Sequence, residues 1–247
     1  MKLAIIADIH GNSAALEAVL ADMDSLAISD AINLGDHLSG PLDASGTAEI
    51  LISRNFPSIL GNHDRWLLET SPSEMGASDK VAFDQLTQTH LDWLRGMPKT
   101  LTLFHEIFAC HGTPDNDLSY WLERVDTDGN VRAASLEEVE AEALGVGASL
   151  ILCAHTHVPR VVRLRDGRMI LNPGSVGCPG YDDDQPVYHK MQTGTPNASY
   201  AIAEKVQSGW IFTFRSVPYD SRDMVALAFS HGRDEWGRAL ATGWIDA

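Results

Sequence analysis

Short apolar runs alternate with helix-like stretches along the first quarter of the chain. The opening run is wholly apolar and contains two isoleucines, as in a strand that is covered on both faces. The stretch after it has Leu16, Val19 and Leu20 on one helical face, with Asn12 or Ser13 as its N-cap. The predicted elements are strands over residues 3–7, 31–34 and 56–60, a helix over residues 13–23 and a second helix that includes residues 48–53. This β-α-β-α-β order predicts parallel strands joined by right-handed crossovers.

The second half of the chain predicts shorter strands that are mostly antiparallel. Residues 105–106 separate two strand-like runs, and Asp166-Gly167 is a hairpin-type turn between two others. The predicted strands cover residues 100–104, 107–110, 150–153, 161–164, 168–171, 200–204 and 210–217. The predicted helices cover residues 119–124 and 135–144, joined by a loop at 126–130, and one or two more follow residue 220. Together these elements predict one α/β domain with two sheets covered by helices.

The composition is that of a soluble globular protein. Apolar residues make up 44% of the 247 residues and charged residues 21%, and no apolar stretch approaches the roughly 20 residues that a membrane-spanning helix needs. The apolar run at the amino terminus is interrupted by Asp8 and His10 before it reaches signal-peptide length, so we expect a cytoplasmic protein without a membrane partner. The cysteines Cys110, Cys153 and Cys178 are far apart and are expected to be reduced and mostly buried.

The chain is strongly acidic. It has 18 Lys and Arg residues against 34 Asp and Glu residues, a formal net charge of −16. An acidic surface repels nucleic-acid backbones, so a DNA or RNA duplex is not expected as a partner. An anionic substrate would need a bound cation that reverses the local field.

Five of the predicted strands end at polar side chains of one particular kind. These side chains are Asp8 and His10, Asp36, Asn62 and His63, His111, and His155 and His157. Because ligands bind outside the carboxyl ends of the strands in open α/β sheets, we expect the five segments to meet at one rim. A lone histidine or a single Asp-x-His after a strand is usually turn chemistry. Five such segments together predict a metal site.

The donor types indicate which metals fit. Carboxylate, amide oxygen and imidazole suit Mn²⁺, Fe²⁺, Zn²⁺ or Ni²⁺, with Mn²⁺ as our first choice, and the lack of thiolates in these motifs argues against structural zinc. One ion rarely needs seven protein ligands, whereas two ions about 3.5–4 Å apart that share a carboxylate would use them. Such a pair attracts phosphate and lowers the pKa of a bridging water towards about 7, which generates hydroxide for attack on phosphorus.

The order of these motifs resembles the calcineurin-like metallophosphoesterase superfamily, in particular its small single-domain bacterial phosphodiesterases and phosphatases. The shared motifs are Asp8-x-His10, Gly35-Asp36, Gly61-Asn62-His63-Asp64, His111, His155-x-His157 and the segment over residues 172–177. One position departs from the family, because Ala154 stands where the family has glycine. The resemblance implies a two-sheet αββα sandwich with mixed parallel and antiparallel sheets covered by helices. We expect a single domain over residues 1–247, with core motifs at 1–177, an extended loop at about 178–199, and closing strands and helices at about 200–247.

The resemblance also implies a role for each residue at the rim. Asp8, His10 and His157 would hold a first metal ion, Asn62, His111 and His155 would hold a second, and Asp36 would bridge the two. His63 would bind no metal. It would stabilise the phosphoryl oxygens and protonate the leaving alkoxide, a task for which imidazole has a suitable pKa.

Three further residues are candidates for substrate contact. His37 directly follows the bridging position, and Tyr181 and His189 lie in the extended loop. We favour a polar surface loop or an interface over a lid for this loop, because three adjacent aspartates at 182–184 would repel phosphate groups.

The leading functional hypothesis is a metal-dependent phosphoesterase, a phosphatase or phosphodiesterase, that acts on a small phosphorylated or nucleotide-type substrate. A dinucleoside polyphosphate hydrolase of the diadenosine tetraphosphate type is an alternative within the same chemistry. A non-catalytic scaffold that uses the fold for protein binding is an alternative of another class, and the presence of His63 with every ligand position argues against it. The sequence leaves open the choice between phosphomonoester and phosphodiester.

Overall fold

The computed structural model describes residues 1–246, which form thirteen strands and eight helices. The first half contains β1 (Lys2–Ile6), α1 (Ser13–Ser25), β2 (Ala31–Asn33), α2 (Ala44–Arg54), α3 (Asn62–Glu69), α4 (Ala77–Phe83), α5 (Gln88–Arg95), β3 (Leu101–Leu103) and β4 (Ile107–Ala109). The second half contains β5 (Glu123–Val125), β6 (Val131–Ala133), α6 (Leu136–Glu142), β7 (Leu150–Leu152), β8 (Arg160–Arg163), β9 (Met169–Asn172), β10 (Gly180–Asp183), β11 (His189–Gln192), β12 (Ala198–Val206), β13 (Gly209–Val217), α7 (Arg222–Ser230) and α8 (Asp234–Thr242). None of the helices in residues 1–246 is long and apolar enough to cross a membrane.

Two sheets organise these elements. The first has the strand order β13-β12-β1-β2, in which β1 and β2 run parallel and β12 runs antiparallel to both of its neighbours. The second has the order β3-β4-β7-β9-β8, with β4, β7 and β9 parallel in the centre and an antiparallel strand at each edge. Hairpins β5–β6 and β10–β11 stand apart from both sheets. The predicted mixture of parallel and antiparallel pairing is confirmed.

The two sheets pack face to face through an apolar core. Ile5 and Ile32 of the first sheet and Ile107, Leu152 and Leu171 of the second lie in one cluster and have no exposed surface. Each such side chain contributes about 1.5–3 kcal/mol when it leaves water. Helix α1 covers the outer face of the first sheet, and α6 covers that of the second. This layering is the predicted αββα sandwich.

Helix α1 shows how local sequence sets an element. The Asn12 side chain accepts a hydrogen bond from the backbone N–H of Ala15 at 3.0 Å. Of the two predicted N-cap residues, Asn12 and Ser13, Asn12 is therefore the N-cap. Leu16 and Val19 are buried against the first sheet, as their spacing requires. The helix ends at Ser25, slightly beyond its predicted end.

The strand predicted over residues 56–60 is wrong as a regular strand. In the described chain this segment makes one isolated parallel bridge, between Asn33 and Ser58, and Ile59 donates its N–H to the Asn33 carbonyl at 3.1 Å. Pro57 has no N–H to donate, which limits further pairing. The segment still delivers Gly61 to the carboxyl edge of the first sheet, so the correction does not move the predicted rim.

The helix predicted over residues 119–124 is also wrong. Glu123–Val125 forms strand β5, and the predicted loop at 126–130 is the turn that joins it to β6. The Arg124 guanidinium donates to the carbonyl oxygens of Tyr120 and Trp121 at 2.6 and 3.2 Å, in place of the backbone N–H donors that a helix would supply. Trp121 is buried under the second sheet. Tertiary packing therefore overrides the local helical pattern here.

Several elements near the rim lie outside the sequence predictions. Helices α3, α4 and α5 follow Gly61, and hairpin β10–β11 occupies much of the segment that was expected to be an extended loop. The predicted closing helices are present as α7 and α8, which pack against Leu42 through Met224 and Leu240. The carboxyl-terminal part of the chain thereby returns to the rim.

Candidate active site

Two glycines let the loop after β2 approach the start of α3 closely. A Cβ on Gly35 would collide with the backbone of Gly61, and a Cβ on Gly61 would collide with the Asp36 carboxylate. Gly35 also has a φ of +102°, a conformation that favours glycine. The close approach lets the His63 N–H donate to Asp36 at 2.9 Å.

Backbone strain is concentrated at the same rim. Nine residues other than glycine have a positive φ in residues 1–246, and five of them are predicted metal ligands. These five are Asp8, His10, Asp36, His155 and His157, with φ between 52° and 70°. Such conformations cost energy and persist where the surrounding structure holds them, which is typical of functional sites.

The predicted metal ligands lie in two groups. Asp8, His10 and His157 each offer a donor atom within 4.8 Å of the others, and Asp36, His111 and His155 do the same. Asn62 lies beside the second group, with its Oδ1 3.1 Å from His111 Nε2. The fold therefore brings all seven predicted ligands together.

Backbone carbonyls orient the histidine rings. The Nδ1–H groups of His10, His111 and His157 each donate to a carbonyl oxygen at 2.7–2.8 Å. The acceptors are Ser39, Leu34 and Cys178, respectively. Each bond leaves Nε2 to face the donor group, an arrangement typical of metal-binding histidines. His155 is turned the other way, because its Nε2 lies 3.2 Å from the Leu118 carbonyl and leaves Nδ1 for the group.

The first donor group fits a metal ion. Both carboxylate oxygens of Asp8 are buried without a hydrogen-bond partner in the described chain, which is costly unless a cation compensates them. The Nε2 atoms of His10 and His157 lie 3.3 Å apart. Since both Nδ1 atoms carry a proton, two neutral rings would direct lone pairs at one another. A cation between these residues removes both conflicts.

The second donor group attracts positive charge in a similar way. Burial opposes the protonated form of His111, but Asp36, Asp8 and the Leu34 carbonyl together outweigh burial and raise the pKa of His111 to about 9. Burial also opposes the ionised form of Asp36, yet His111 and its other histidine neighbours hold the pKa of that carboxyl well below its usual range. By contrast, burial lowers the pKa of His155 to about 3. The second donor group thus favours a positive charge beside Asp36. A metal ion that displaces the proton from His111 would supply that charge.

Buried polar contacts brace the ligand loops from behind. The Asp64 carboxylate has no exposed surface and accepts the N–H groups of Asp36 and His37 at 2.8 and 3.0 Å. Ser175, in the segment over residues 172–177, donates its hydroxyl to the Asp8 carbonyl at 2.7 Å. These bonds hold the strained loops in place before any ligand binds.

The structure does not bear out a substrate contact for His37. Its side chain has no exposed surface, its Nδ1 lies 2.7 Å from Asp64 Oδ2, and its ring packs edge-on against Trp93. His37 therefore supports Asp64 underneath the ligand loops.

His63 stands at the rim outside both donor groups. Its Nδ1 lies 2.9 Å from Asp79 Oδ1 and 3.0 Å from the Ser39 hydroxyl, which leaves Nε2 free on the open side of the ring. Burial opposes the charged ring, but Asp36 and Asp79 outweigh burial and raise the pKa of His63 above its ordinary value. A charged imidazole that is held at one nitrogen can donate a proton from the other.

Asp79 is a functional candidate that the sequence patterns missed. It is 7% exposed and lies in α4, sixteen residues after His63. None of the strand-end motifs includes it, because its contact with His63 depends on the packing of α3 against α4.

A cavity of about 730 Å³ opens over the rim. Four aromatic side chains line it, and each lies beside one rim histidine. Trp66 is beside His63, Trp236 beside His10, Tyr120 beside His155, and Tyr181 beside His157, with ring centroids 4.7–5.7 Å apart. The volume suits a drug-sized organic molecule and is much larger than a phosphate group needs.

Hairpin β10–β11 forms one wall of this cavity and is not a surface loop. Tyr181 lines the cavity and donates its hydroxyl to Tyr120 at 2.8 Å. Tyr120 donates in turn to His189 Nε2 at 2.9 Å, while His189 Nδ1–H donates to the Val187 carbonyl at 2.8 Å. Of the two loop residues expected to contact substrate, Tyr181 faces the cavity, whereas His189 lies behind Tyr120 and orients it.

The chain matches a family model described as the calcineurin-like phosphoesterase superfamily domain over residues 1–195. The chain belongs to the calcineurin-like phosphoesterase superfamily. This family is metal-dependent, in agreement with the two donor groups. The match contains all seven predicted ligands and His63, whereas α8 with Trp236 lies beyond it. No curated protein matches the chain in sequence.

Solved structures share the whole fold of this calcineurin-like phosphoesterase. A metallophosphoesterase from Sphaerobacter thermophilus is 25% identical, with 98% of this chain and 100% of that chain covered and a TM-score of 0.75. A hypothetical protein from Pyrococcus horikoshii is 20% identical, with 98% of each chain covered and a TM-score of 0.76. A putative diadenosine tetraphosphatase is 16% identical, with 86% and 93% covered and a TM-score of 0.51, which is a likeness of fold alone.

The calcineurin-like phosphoesterase accommodates Ala154 at the position that differs from the family pattern. Ala154 is not among the described residues with a positive φ, so its Cβ causes no backbone strain. Its methyl group is buried in the cluster between the sheets. His155 and His157 still reach their donor groups.

Proposed function

We propose that this calcineurin-like phosphoesterase hydrolyses a phosphate ester of a small molecule with two divalent transition-metal ions, Mn²⁺ first among them. Asp8, His10 and His157 would hold one ion, Asn62, His111 and His155 the second, and Asp36 both. The observation that carries the proposal is the pair of donor groups beside His63 at one cavity, the first of which contains the Asp8 carboxylate, buried and unpartnered within residues 1–246. When bound, the ions supply positive charge for the phosphoryl group and an activated water as nucleophile.

His63 serves as the general acid in this proposal. Asp79 accepts the Nδ1–H bond, which orients the ring and favours its charged form. As the P–O bond to the leaving group breaks, Nε2–H gives its proton to the leaving oxygen, and a neutral alcohol departs. A positioned acid of this kind contributes about 10²–10⁴-fold to the rate.

The charges that line the cavity favour a substrate with a single phosphoryl group. Besides Asp36, the lining in the described chain contains Glu123, Glu142, Asp182, Asp183 and Glu235, against the two arginines Arg124 and Arg233. Both arginines are already engaged, Arg124 with backbone carbonyls and Arg233 with Glu235 at 2.6 Å. A dinucleoside polyphosphate would place its further phosphates near carboxylates such as Asp182 and Asp183, and neither arginine of the lining is free to offset their charge. The cavity thus gives the dinucleoside polyphosphate alternative no support.

A non-catalytic scaffold would have no use for a polarised His63 inside a deep cavity. Tyr181 is the residue that we propose for substrate contact, since its ring lies 4.7 Å from that of His157. The cytoplasmic location and the single-domain organisation remain predictions from the sequence.

Metal content and hydrolysis, measured on the same preparation, test the proposed function. We expect two ions per chain after loading with Mn²⁺, and hydrolysis of p-nitrophenyl phosphate or bis-p-nitrophenyl phosphate that a chelator abolishes and added Mn²⁺ restores. Elemental analysis gives the stoichiometry, and a wider panel of phosphate esters follows. One ion per chain at saturating metal would contradict the two-ion centre, and inactivity on the whole panel would favour the scaffold.

A further inference from the structure

The side of the cavity next to His63 carries two tryptophans. Trp66 follows His63 by one turn of α3, and its ring lies 4.7 Å from the His63 ring. Trp236 comes from α8, and its ring lies 5.7 Å from that of His10. The rings of His10 and His63 are themselves 5.3 Å apart. Both indoles are partly exposed and line the cavity, so both are available to a bound molecule.

Helix α8 is firmly seated, which sets the position of Trp236. Arg233, just before the helix, donates to the hydroxyl of Ser78 in α4. The indole packs close to Gly40, since a Cβ on Gly40 would lie 3.4 Å from the Trp236 ring, at ordinary van der Waals distance. Four residues further along α8, on the same face, Leu240 is buried in the cluster with α7, and Trp236 packs against that cluster. The tryptophan therefore belongs to a preformed wall.

The electrostatics of this side suit an uncharged group. Besides His10 and His63, the polar side chains that line this side include Arg233, which is paired with Glu235, and Ser78, whose hydroxyl accepts from Arg233. In the described residues this side offers no unpaired cation for a second phosphate. Aromatic side chains favour planar rings through offset or edge-to-face contacts, in addition to the area that such contacts bury.

We propose that Trp66 and Trp236 form the leaving-group pocket and that the alcohol released from the substrate carries an uncharged planar ring. The inference rests on the proposed function, because His63 as general acid must lie on the leaving-group side of the phosphorus. Two classes of alcohol carry an uncharged planar ring of this kind: a simple aromatic alcohol and a nucleoside.

Matched pairs of esters test the pocket. The first pair is benzyl and cyclohexylmethyl phosphate, each as monoester and as methyl diester, which differ in ring planarity at similar size. The second pair is adenosine 5′-phosphate and ribose 5-phosphate, which differ by the base. We expect kcat/KM to favour the planar member by about 3–10-fold. Preference in the second pair alone identifies a nucleoside and in the first pair alone a simple aromatic alcohol. Equal values in both pairs overturn the proposal.

Variants then connect the preference to the two indoles. Trp236→Leu retains apolar volume without a ring, so it and Trp66→Leu are expected to remove the preference, whereas Trp236→Phe retains it. Trp244→Ala is the matched control, because Trp244 lies two residues beyond α8, is 49% exposed and does not line the cavity. Preference that persists in both Leu variants, with metal content unchanged, overturns the assignment of the indoles.

Binding of benzylphosphonate and cyclohexylmethylphosphonate, which cannot be hydrolysed at the P–C bond, separates this proposal from the proposed function. Tighter binding of the planar phosphonate together with no turnover of any ester would refute the hydrolase, and with it a leaving group, and would support the indoles as a ring-binding pocket alone. Turnover without ring preference would refute the pocket alone. Absence of both turnover and phosphonate binding would refute both.

Discussion

The metal-ligand rim and the cavity wall are built in different ways. The rim takes six of its seven ligands from loops at the carboxyl ends of β1, β2, β4 and β7, where the first ligand lies two or three residues after the strand ends, and it takes Asn62 from the start of α3. The wall takes Trp66 from α3, Tyr120 from a loop, Tyr181 from β10 and Trp236 from α8. The rim is therefore local in sequence, whereas the wall is assembled from distant segments.

This difference separates two kinds of functional property. The rim supplies charge and proton transfer, which any phosphate ester needs, and it is buried and strained. The wall contacts the organic part of a substrate and comes in part from the region beyond the family match. We therefore expect changes in the rim to abolish chemistry and changes in the wall to alter selectivity.

Removal of the bridging carboxylate gives the largest expected effect. Asp36→Asn retains the size of the side chain but removes the anion that is proposed to bridge the two ions, so both ions should bind more weakly and activity should fall by more than about 10³-fold. Elemental analysis and kcat/KM measure the two consequences. Asp8→Asn is the comparison, since it affects one donor group, and its loss should be smaller. An Asp36→Asn protein with two ions and nearly full activity would break the contrast between rim and wall.

Replacement of His63 gives a smaller effect that depends on the leaving group. His63→Asn should retain both ions and lower kcat by about 10²–10⁴-fold on alkyl esters, with little change in KM. Esters that release p-nitrophenolate should lose less, because that anion needs little protonation.

The exposed turn residue His105 offers the control for His63. His105→Ala is expected to leave both rates unchanged. An equal loss on both ester types in His63→Asn would indicate electrostatic stabilisation without proton transfer. Loss of a metal ion would mean that His63 belongs to the ligand set.

Disruption of the wall through His189 gives the smallest effect. His189→Ala removes the acceptor of the Tyr120 hydroxyl, so Tyr120 and Tyr181 lose their fixed orientation, and KM should rise by about 3–10-fold. The ion content and kcat should change little, because His189 touches neither donor group. Tyr120→Phe removes the same hydrogen bond, so the double variant should be no worse than the more severe single one. Additive effects on KM, or loss of metal, would contradict a positioning role.

The elements with strong local signals were predicted well. Helix α1 has its apolar face and its Asn12 cap within one segment, and hairpins such as β8–β9 have their turn residues between two apolar runs. The segment after residue 118 was mispredicted because its carbonyls bind the Arg124 side chain and its Trp121 enters the core. Hairpin β10–β11 lacks a clear apolar alternation and contains adjacent aspartates, so its sequence is typical of a surface loop.

Six of the seven ligands follow from local sequence, because each lies in the short loop that directly follows a strand, whereas Asn62 begins α3. Tertiary structure alone joins Asp79 to His63, turns His37 into the interior and places His189 behind Tyr120. It also seats Trp236 against His10, although the two residues lie at opposite ends of the chain. These contacts depend on helices and a hairpin whose packing no short motif encodes. Chemistry at a strand end is thus local, whereas the shape of the cavity over it is a property of the whole fold.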